Sequence, residues 1–482
     1  MLKVAQLASV LVLAAAAGTA VAAGAGWLLA LLVAAGGLVA LGAALPVGVV
    51  RAVILGALLL VPDVASGRNL GLLVHWSQGL TLSNFVVPAV ALPLLAGAWL
   101  AGRRILPVRP GRWPSLARWC YWLLAWCGLT LLVPWAAGGL SGAAQATLLG
   151  HLFKLALFVG LGVVLAAGVD GSDGSDGSDG TLLRKVLFWS IVVNAVCGLG
   201  QAAGWLPVFS PLAHSAAGSG AGARATGLFY DANLYGVLAA WALLWVVCDG
   251  EELGRWGQIV LAVAVAGNLV AAGSRAGYLA FAAGCGVLLL YRCWRPVAMA
   301  AVVLLALGAL FPVRSWQRIR AAVETADAVM AGPVSNAAAV PHDAGTVERL
   351  GSMAQSLQQI AAHPLLGLGF GQALYLGVPD LGGGPVRRAD ERFNGAQNMP
   401  LTVLAETGPV GLVLFLITVA APLRRPRSPG ELAMLAGFVG LLAACMTIEA
   451  LWNTRLLALT VVLTAGVLFP GGEAIPAIEA AA

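Results

Sequence analysis

Two arginines sit where a fixed charge is costly: Arg224 in RATGLFYDANLYG, just before an apolar run, and Arg275 in AAGSRAGYLAF, between two apolar runs joined by almost no loop. An arginine stays charged and presents a planar fork of donors matched to phosphate oxygens, so two converging arginines can hold a diphosphate. The competing reading is that each only snorkels, or pairs with a carboxylate such as Asp231. The neighbouring polar residues favour an anion site. Asp231 and Asn233 follow Arg224 at the start of one helix, Ser274 precedes Arg275 at the start of another, and helix N-termini attract anions. A third cluster opens FNGAQNMPLTVLAETGPVGLVLFL, where Gln397 and Asn398 meet the start of an apolar run and Glu406 lies about two turns in. A lone Asn or Gln at a helix start is most simply a cap. Arg455, Glu449 and Asn453 mark the turn between the last two apolar runs, where a structural ion pair behind the site is expected.

Of the 482 residues, 60% are hydrophobic and 10% charged, and the mean hydropathy is +0.90. Soluble domains carry about 25% charged residues. The chain is therefore expected to be all-α and polytopic, because only helices satisfy their own backbone across lipid without closing a barrel. Fourteen apolar runs are candidate spans: 4–22, 26–44, 48–62, 84–102, 119–139, 151–168, 184–204, 228–248, 257–273, 276–294, 297–312, 399–421, 432–450 and 455–470. With the shortest discounted, 12–14 transmembrane helices are expected. The first run could pass for a signal peptide, but a second begins at once at Trp27, so it reads as the first anchor. All seven cysteines lie in or at the ends of apolar runs, and neither a disulfide framework nor a metal site follows. The net charge of +6 does not point to nucleic acid, because the basic residues fall in short inter-helix loops.

Those basic loops set the expected orientation. Arg103, Arg104, Arg109, Arg112 and Arg118 fill one; Arg184 with Lys185, Arg255, Arg292 with Arg295, and Arg424, Arg425 with Arg427 mark four more. With them cytoplasmic, both chain ends are cytoplasmic, and 63–83, 205–227, the Ser274–Arg275 junction, 313–398 and Trp452–Thr454 lie outside. Four regions follow: N-terminal helices 1–183, core helices 184–312 bearing the Arg224 and Arg275 motifs, an outer loop or lid 313–398, and C-terminal helices 399–482. DGSDGSDGSDG, from Asp170 to Gly180, reads as a flexible linker. In the outer loop Leu350, Met353, Leu357 and Ile360 recur at helical spacing, with Gln355, Gln358 and Gln359 on other faces. That pattern predicts an amphipathic helix on the membrane surface. Hinges at Ala331–Gly345 and at Gly382, Gly383, Gly384 and Pro385 would let it act as a lid.

Four blocks in this order, RATGLFYDANLYG, GSRAG, ERLGSMAQSLQQIAAHPLLGLGFGQ and AQNMPLTVLAETGPVG, resemble the O-antigen ligase family of membrane glycosyltransferases. That family also includes O-antigen polymerases and pilin or protein O-oligosaccharyltransferases. The resemblance covers roughly residues 190–470; the first third matches only as a hydrophobic array. It implies a glycosyltransferase C-like fold in the bacterial inner membrane with a periplasmic active face. It also implies transfer of a glycan from undecaprenyl diphosphate to an acceptor hydroxyl, with lipid A core the leading acceptor, and neither cofactor nor metal. By motif position, Arg224 and Arg275 would bind the donor diphosphate and stabilise the leaving charge, with Asp231, Asn233, Ser274, Asn398 and Glu406 lining the substrate site. His363, in HPLLGLGFG, reads as part of a structural turn.

One departure matters. The ligases usually carry a histidine before the asparagine at this position, as general base, and this chain has Gln397–Asn398. An amide positions a hydroxyl but takes no proton near neutral pH. Substitute bases would be His342, His363, Asp390, Glu391 or Glu406. The same machinery would serve a growing glycan or a pilin serine as acceptor. Of other classes, a flippase would show internal repeats and mid-membrane charges, and a non-catalytic binder of lipid-linked glycans would accommodate Gln397.

Overall fold

The computed structural model describes residues 26–62, 82–103, 105, 115–136, 142–166, 178–208, 224–229, 231–249, 254–310, 344–372, 398–423, 426, 428–448 and 453–464. The run 4–22, most of the Asp170–Gly180 repeat, the hinge at Gly382–Pro385, Glu449, Gln397 and the candidate bases His342, Asp390 and Glu391 lie outside them. In chain order the helices are α1 (Gly26–Ala44), α2 (Val47–Leu60), α3 (Leu82–Leu100), α4 (Ser115–Ala136), α5 (Gly142–Ala166), α6 (Ser178–Ala202) and α7 (Ala232–Asp249). There follow α8 (Gly254–Ala272), α9 (Arg275–Leu290), α10 (Trp294–Leu310), α11 (Ala344–Ala362), α12 (Met399–Ala420), α13 (Pro429–Cys445) and α14 (Thr454–Thr464). The described residues contain no strand. The protein is all-helical and polytopic. Five stretches, Leu148–Ala166, Gly180–Ala202, Ala232–Asp249, Gly254–Ala272 and Met399–Ala420, are long and apolar enough to cross a membrane, and shorter apolar helices accompany them. The helix α6 begins at Ser178, inside the repeat read as linker, so its last three residues are helical.

The polar side chains between helices sort the helix ends into two sets. At one end Arg103 Nη2 donates to the carbonyls of Ala43 (3.0 Å) and Ala44 (3.2 Å), and buried Arg51 donates to those of Val164 (3.0 Å) and Ile105 (3.1 Å). Ser115 Oγ reaches Ala421 O there, and Arg184 pairs with Asp249 at 2.9 Å. At the other end Arg455 bonds to the carbonyls of Leu58 and Leu228, Arg224 to that of Ala272, and Asn398 Nδ2 to that of Met446. Each bond joins helix ends that strict up-and-down alternation puts on one side. Arginines here mostly meet the orphan carbonyls of helix C-termini, whose partial negative charge suits a cation.

Small residues let the helices at the centre touch backbone to backbone, as expected where lipid supplies no hydrophobic drive for association. The helices α7, α9 and α13 pack on one another. A Cβ on Gly277 would lie 2.8 Å from the carbonyl carbon of Gly236, and one on Gly440 2.4 Å from Ala280 O. The helix α3 is apposed to α1 in the same way through Gly42 and Gly97.

The outer-loop helix forms as its spacing predicts. Of the residues expected on the apolar stripe, Leu357 is 58% exposed, while Ser356 and Gln359 are buried at 4% and 2%. The helix packs on α12, turning small and polar residues to the protein and leaving Leu357, with Leu365 and Leu366 beyond it, uncovered. Met353 and Ile360 of the same stripe are half-buried, so the stripe is uncovered in part.

Candidate functional site

Where the chain enters α7, the motif segment 224–229 runs without regular secondary structure, and Ala225–Phe229 are buried. Irregular backbone at such a place survives only if its polar groups find partners inside the protein. Side chains of neighbouring helices supply them. Gln201 Oε1 accepts from the N–H groups of Thr226 and Gly227, both at 2.9 Å, and its Nε2 donates to Gly227 O at 3.0 Å. Asn194 Oδ1 accepts from Leu228 N, the backbone of Ala225 donates to Ala271 O, and Arg455 Nη1 donates to Leu228 O at 3.1 Å. Gly227 has φ +54°, a left-handed conformation, and a Cβ there would meet the Tyr235 ring at 2.5 Å, so glycine is required. Tyr235 is held in turn by the Asn194 carbonyl (2.8 Å) and Asn268 Oδ1 (2.6 Å).

This clamp carries Arg224 at its edge. Arg224 Nε donates to Ala272 O at 2.8 Å, and Nη2 to Asn233 Oδ1 at 2.9 Å and Gly273 O at 3.5 Å. The guanidinium therefore lies against the last residues of α8, immediately before Ser274 and Arg275. Ser274 caps α9, its Oγ accepting from Gly277 N at 3.0 Å and lying 3.3 Å from Asn233 Oδ1. Asp231 accepts from Asn233 N at 2.8 Å and so caps α7. Hydrogen bonds thus bring Arg224, Asp231, Asn233 and Ser274 together, and chain continuity adds Arg275. Ser274 is fully buried, whereas Arg224, Arg275, Asp231 and Asn233 stay partly exposed.

Positive charge gathers at this place, with the Asp231 carboxylate beside it. The positive ends of α7 and α9 meet here, and Arg275 occupies the first position of α9, where a cation opposes the helix dipole by about 0.3–1 kcal/mol. Arg224 adds a second charge to the same helix start. A diphosphate would relieve both and could also accept from N-terminal N–H groups. The close approach of α7 to α9 fixes the geometry: a Cβ on Gly236 would lie 2.5 Å from Ser274 Cβ. Gly236→Ala is accordingly expected to displace the cap and destabilise the protein by about 1–3 kcal/mol, seen as a lower Tm in detergent. An unchanged Tm would show that this contact is loose.

Of the other expected residues, Asn398 and Glu406 make hydrogen bonds that run to other elements. Asn398 caps α12, accepting from Leu401 N at 3.1 Å, and donates to Met446 O at 3.1 Å, so it ties α12 to the end of α13. Glu406 is 1% exposed and accepts from Gly371 N at 2.9 Å. Around it the turn after α11 docks onto α12: Leu368 N donates to Ala405 O, Gly369 N to Glu406 O, and Phe370 N to Thr130 Oγ1. The helix α12 is broken to admit this turn, since Gly408 has φ +68° and its missing Cβ leaves room for Leu365 O at 2.1 Å. His363 is exposed, and its carbonyl accepts from Gly367 N within the turn, matching its reading as structural. Glu406→Ala is expected to leave Gly371 N–H buried without its carboxylate, at a cost of about 1–3 kcal/mol. Faster limited proteolysis near residues 365–372 is the readout; an unchanged digestion pattern would mean Glu406 does not hold the turn.

Asn194, Gln201, Tyr235 and Asn268 carried no signal in the sequence, because single polar residues in apolar helices do not reveal their partners. Arg51 escaped notice for the same reason. Arg455 holds two carbonyls and a ring, and Glu449, with which an ion pair is expected, lies outside the described residues.

The model of the O-antigen ligase family matches residues 260–416, from α8 into α12. This is the family that the four motif blocks resemble. The match includes Arg275 and position 397, while Arg224 precedes it and bonds to Ala272 and Gly273 within it. No curated protein matches the chain. Within this polytopic helical protein residues 260–416 match the O-antigen ligase family, and the match supports a ligase-like, glycosyltransferase-like enzymatic role.

Proposed function

We propose that this protein transfers a glycan from undecaprenyl diphosphate to an acceptor hydroxyl, with lipid A core as the acceptor, at the periplasmic face of the bacterial inner membrane. The observation that carries this reading is the seating of the Arg224 guanidinium on the carbonyls just ahead of the Ser274–Arg275 start of α9. Two fixed cations and two helix N-termini at one partly exposed place suit a diphosphate better than a sugar or a peptide.

In the reaction the acceptor oxygen forms a bond to the anomeric carbon while the bond from that carbon to the diphosphate oxygen breaks. The electron pair leaves with the diphosphate, and the acceptor proton passes to a base. Arg224 and Arg275 would stabilise the charge that grows on the leaving oxygen, the point where fixed donors act most strongly. Asn233 and Ser274 would hold Arg224 and the α9 cap in register. Gln397 would position the acceptor hydroxyl by hydrogen bonding without accepting its proton. The helix α11, with its uncovered Leu357, would rest on the membrane surface beside the lipid-linked donor.

The direct test incubates the purified full-length protein in detergent with a lipid-linked glycan and lipid A core, and follows the glycan by its mobility shift. Transfer to lipid A core supports the reading. Transfer only to glycan ends or to a pilin serine would replace the acceptor and keep the donor chemistry. Binding of donor without transfer to any acceptor would favour a non-catalytic binder, the reading that Gln397 itself motivates.

A further inference from the structure

Among the described residues Arg455 is the largest side chain that is essentially sealed from solvent, at 1% exposure, and from the start of α14 it makes three contacts with two other elements. Its Nε donates to Leu58 O of α2 at 2.7 Å, its Nη1 to Leu228 O of the motif segment at 3.1 Å, and its guanidinium carbon lies 4.4 Å from the centroid of the Phe229 ring. An arginine buried in an apolar helical protein is expensive, and removing it is not equivalent to removing a surface charge. The planar guanidinium can hold two carbonyls and stack on a ring at once; an ammonium cannot.

The segment it grips is the one that delivers Arg224. Three residues separate Arg224 from Leu228, and Gln201 fixes the backbone between them by two accepted bonds and one donated bond. Movement at Leu228 and Phe229 is therefore passed along a stretch with little slack to the residue that meets Ala272 and Gly273. We infer that Arg455 is a positioning residue for the donor site: by clamping Leu228 and Phe229 against α2 it holds the motif segment at the depth where Arg224 reaches the α9 start. It touches no substrate and acts through Arg224. The inference rests on the diphosphate reading of Arg224 and assigns a second, buried arginine to that site's geometry.

The test measures binding of undecaprenyl diphosphate to the purified full-length protein in detergent, for the intact chain, Arg455→Lys, Arg224→Ala and the double variant. Lysine keeps the charge and loses the fork and the stacking. Because small displacements of a binding group can cost up to about a hundredfold, Arg455→Lys is expected to weaken binding by about tenfold. Arg224→Ala is expected to weaken binding at least as much, and the double variant no further than Arg224→Ala alone, the non-additivity of residues acting through one another. A purely structural role for Arg455 would lower the folded fraction but leave the affinity of the folded protein unchanged. Binding by Arg455→Lys equal to that of the intact chain would overturn the inference, as would full additivity in the double variant; the Arg224 result would stand in either case. If the intact chain does not bind undecaprenyl diphosphate, the diphosphate reading fails and this inference with it. Should Arg455→Lys not fold, Phe229→Leu removes the ring under the guanidinium while keeping most of the packing. Its affinity falling severalfold supports the clamp and an unchanged affinity rejects it.

Discussion

Arg275→Ala is expected to reduce glycan transfer by about a hundred- to a thousandfold while changing stability little. The two halves of that expectation come from the same geometry. Arg275 stands at the first position of α9, directly after the Ser274 cap and beside the Arg224 guanidinium seated on Ala272 O. A cation at the positive end of a helix opposes the helix dipole. Its removal from a partly exposed helix start is therefore expected to change stability by less than about 1 kcal/mol. For a developing diphosphate leaving group the same position is favourable, since the donors are already oriented when charge appears on the oxygen. Arg275→Lys separates charge from shape: it keeps the cation and loses the fork, so an intermediate loss is expected. The measurement is the initial rate of transfer together with Tm for Arg275→Ala, Arg275→Lys and Arg224→Ala. A rate for Arg275→Ala within a few-fold of the intact chain would remove this arginine from the donor site. A large fall in Tm together with activity would reduce it to a structural role.

A residue placed against its local preference is also what made the site visible in the sequence. Arg224 and Arg275 were conspicuous because charge is scarce in the chain and each falls at an end of an apolar run. Asp231, Asn233 and Ser274 could be attached to them because capping chemistry is local, spanning two or three residues, and the bonds Asp231–Asn233 and Ser274–Gly277 have that span. The helices were legible for a similar reason: the long apolar runs, ended by arginines or by glycine and proline, match α1 to α10 and α12 to α14 closely. What resisted were partners distant in the chain. Arg455 meets Leu58, 397 residues away, and Gln201 meets a segment 25 residues on. No periodicity encodes either contact. Helical spacing put Leu357 on the apolar stripe of α11, and it is exposed; what spacing could not show is which residues, Ser356 and Gln359, turn inward where α11 packs on α12.

That packing bears on Glu406, which looked like a site residue from its place two turns into an apolar helix. A carboxylate there must be satisfied, and Gly371 N–H satisfies it from the turn that follows α11. The turn sits in the break that Gly408 opens in α12, so the outer-loop helix is attached to the same helix whose start carries Asn398 and follows Gln397. Movement of α11 on the membrane surface would thus be transmitted through the turn to α12.

Gln397→His is expected to raise transfer by at least about tenfold, out of the 10²- to 10⁴-fold that a positioned general base commonly supplies. Asn398, the next residue in the chain, caps α12 and holds the end of α13. An imidazole with its ordinary pKa of about 6.5 is mostly neutral at pH 7.5 and able to accept the acceptor proton. The sign of the pH dependence follows. Below that pKa the ring is protonated and the gain vanishes; above it the gain is full, so the ratio of variant to intact rates should rise between about pH 5.5 and 7.5. A positional effect of the larger ring would instead give a ratio that is flat with pH. A rise with pH places Gln397 at the base position of an enzyme that works with weak proton transfer. An unchanged rate at every pH would mean that position 397 does not reach the acceptor hydroxyl, and that the proton leaves by another group on the outer loop.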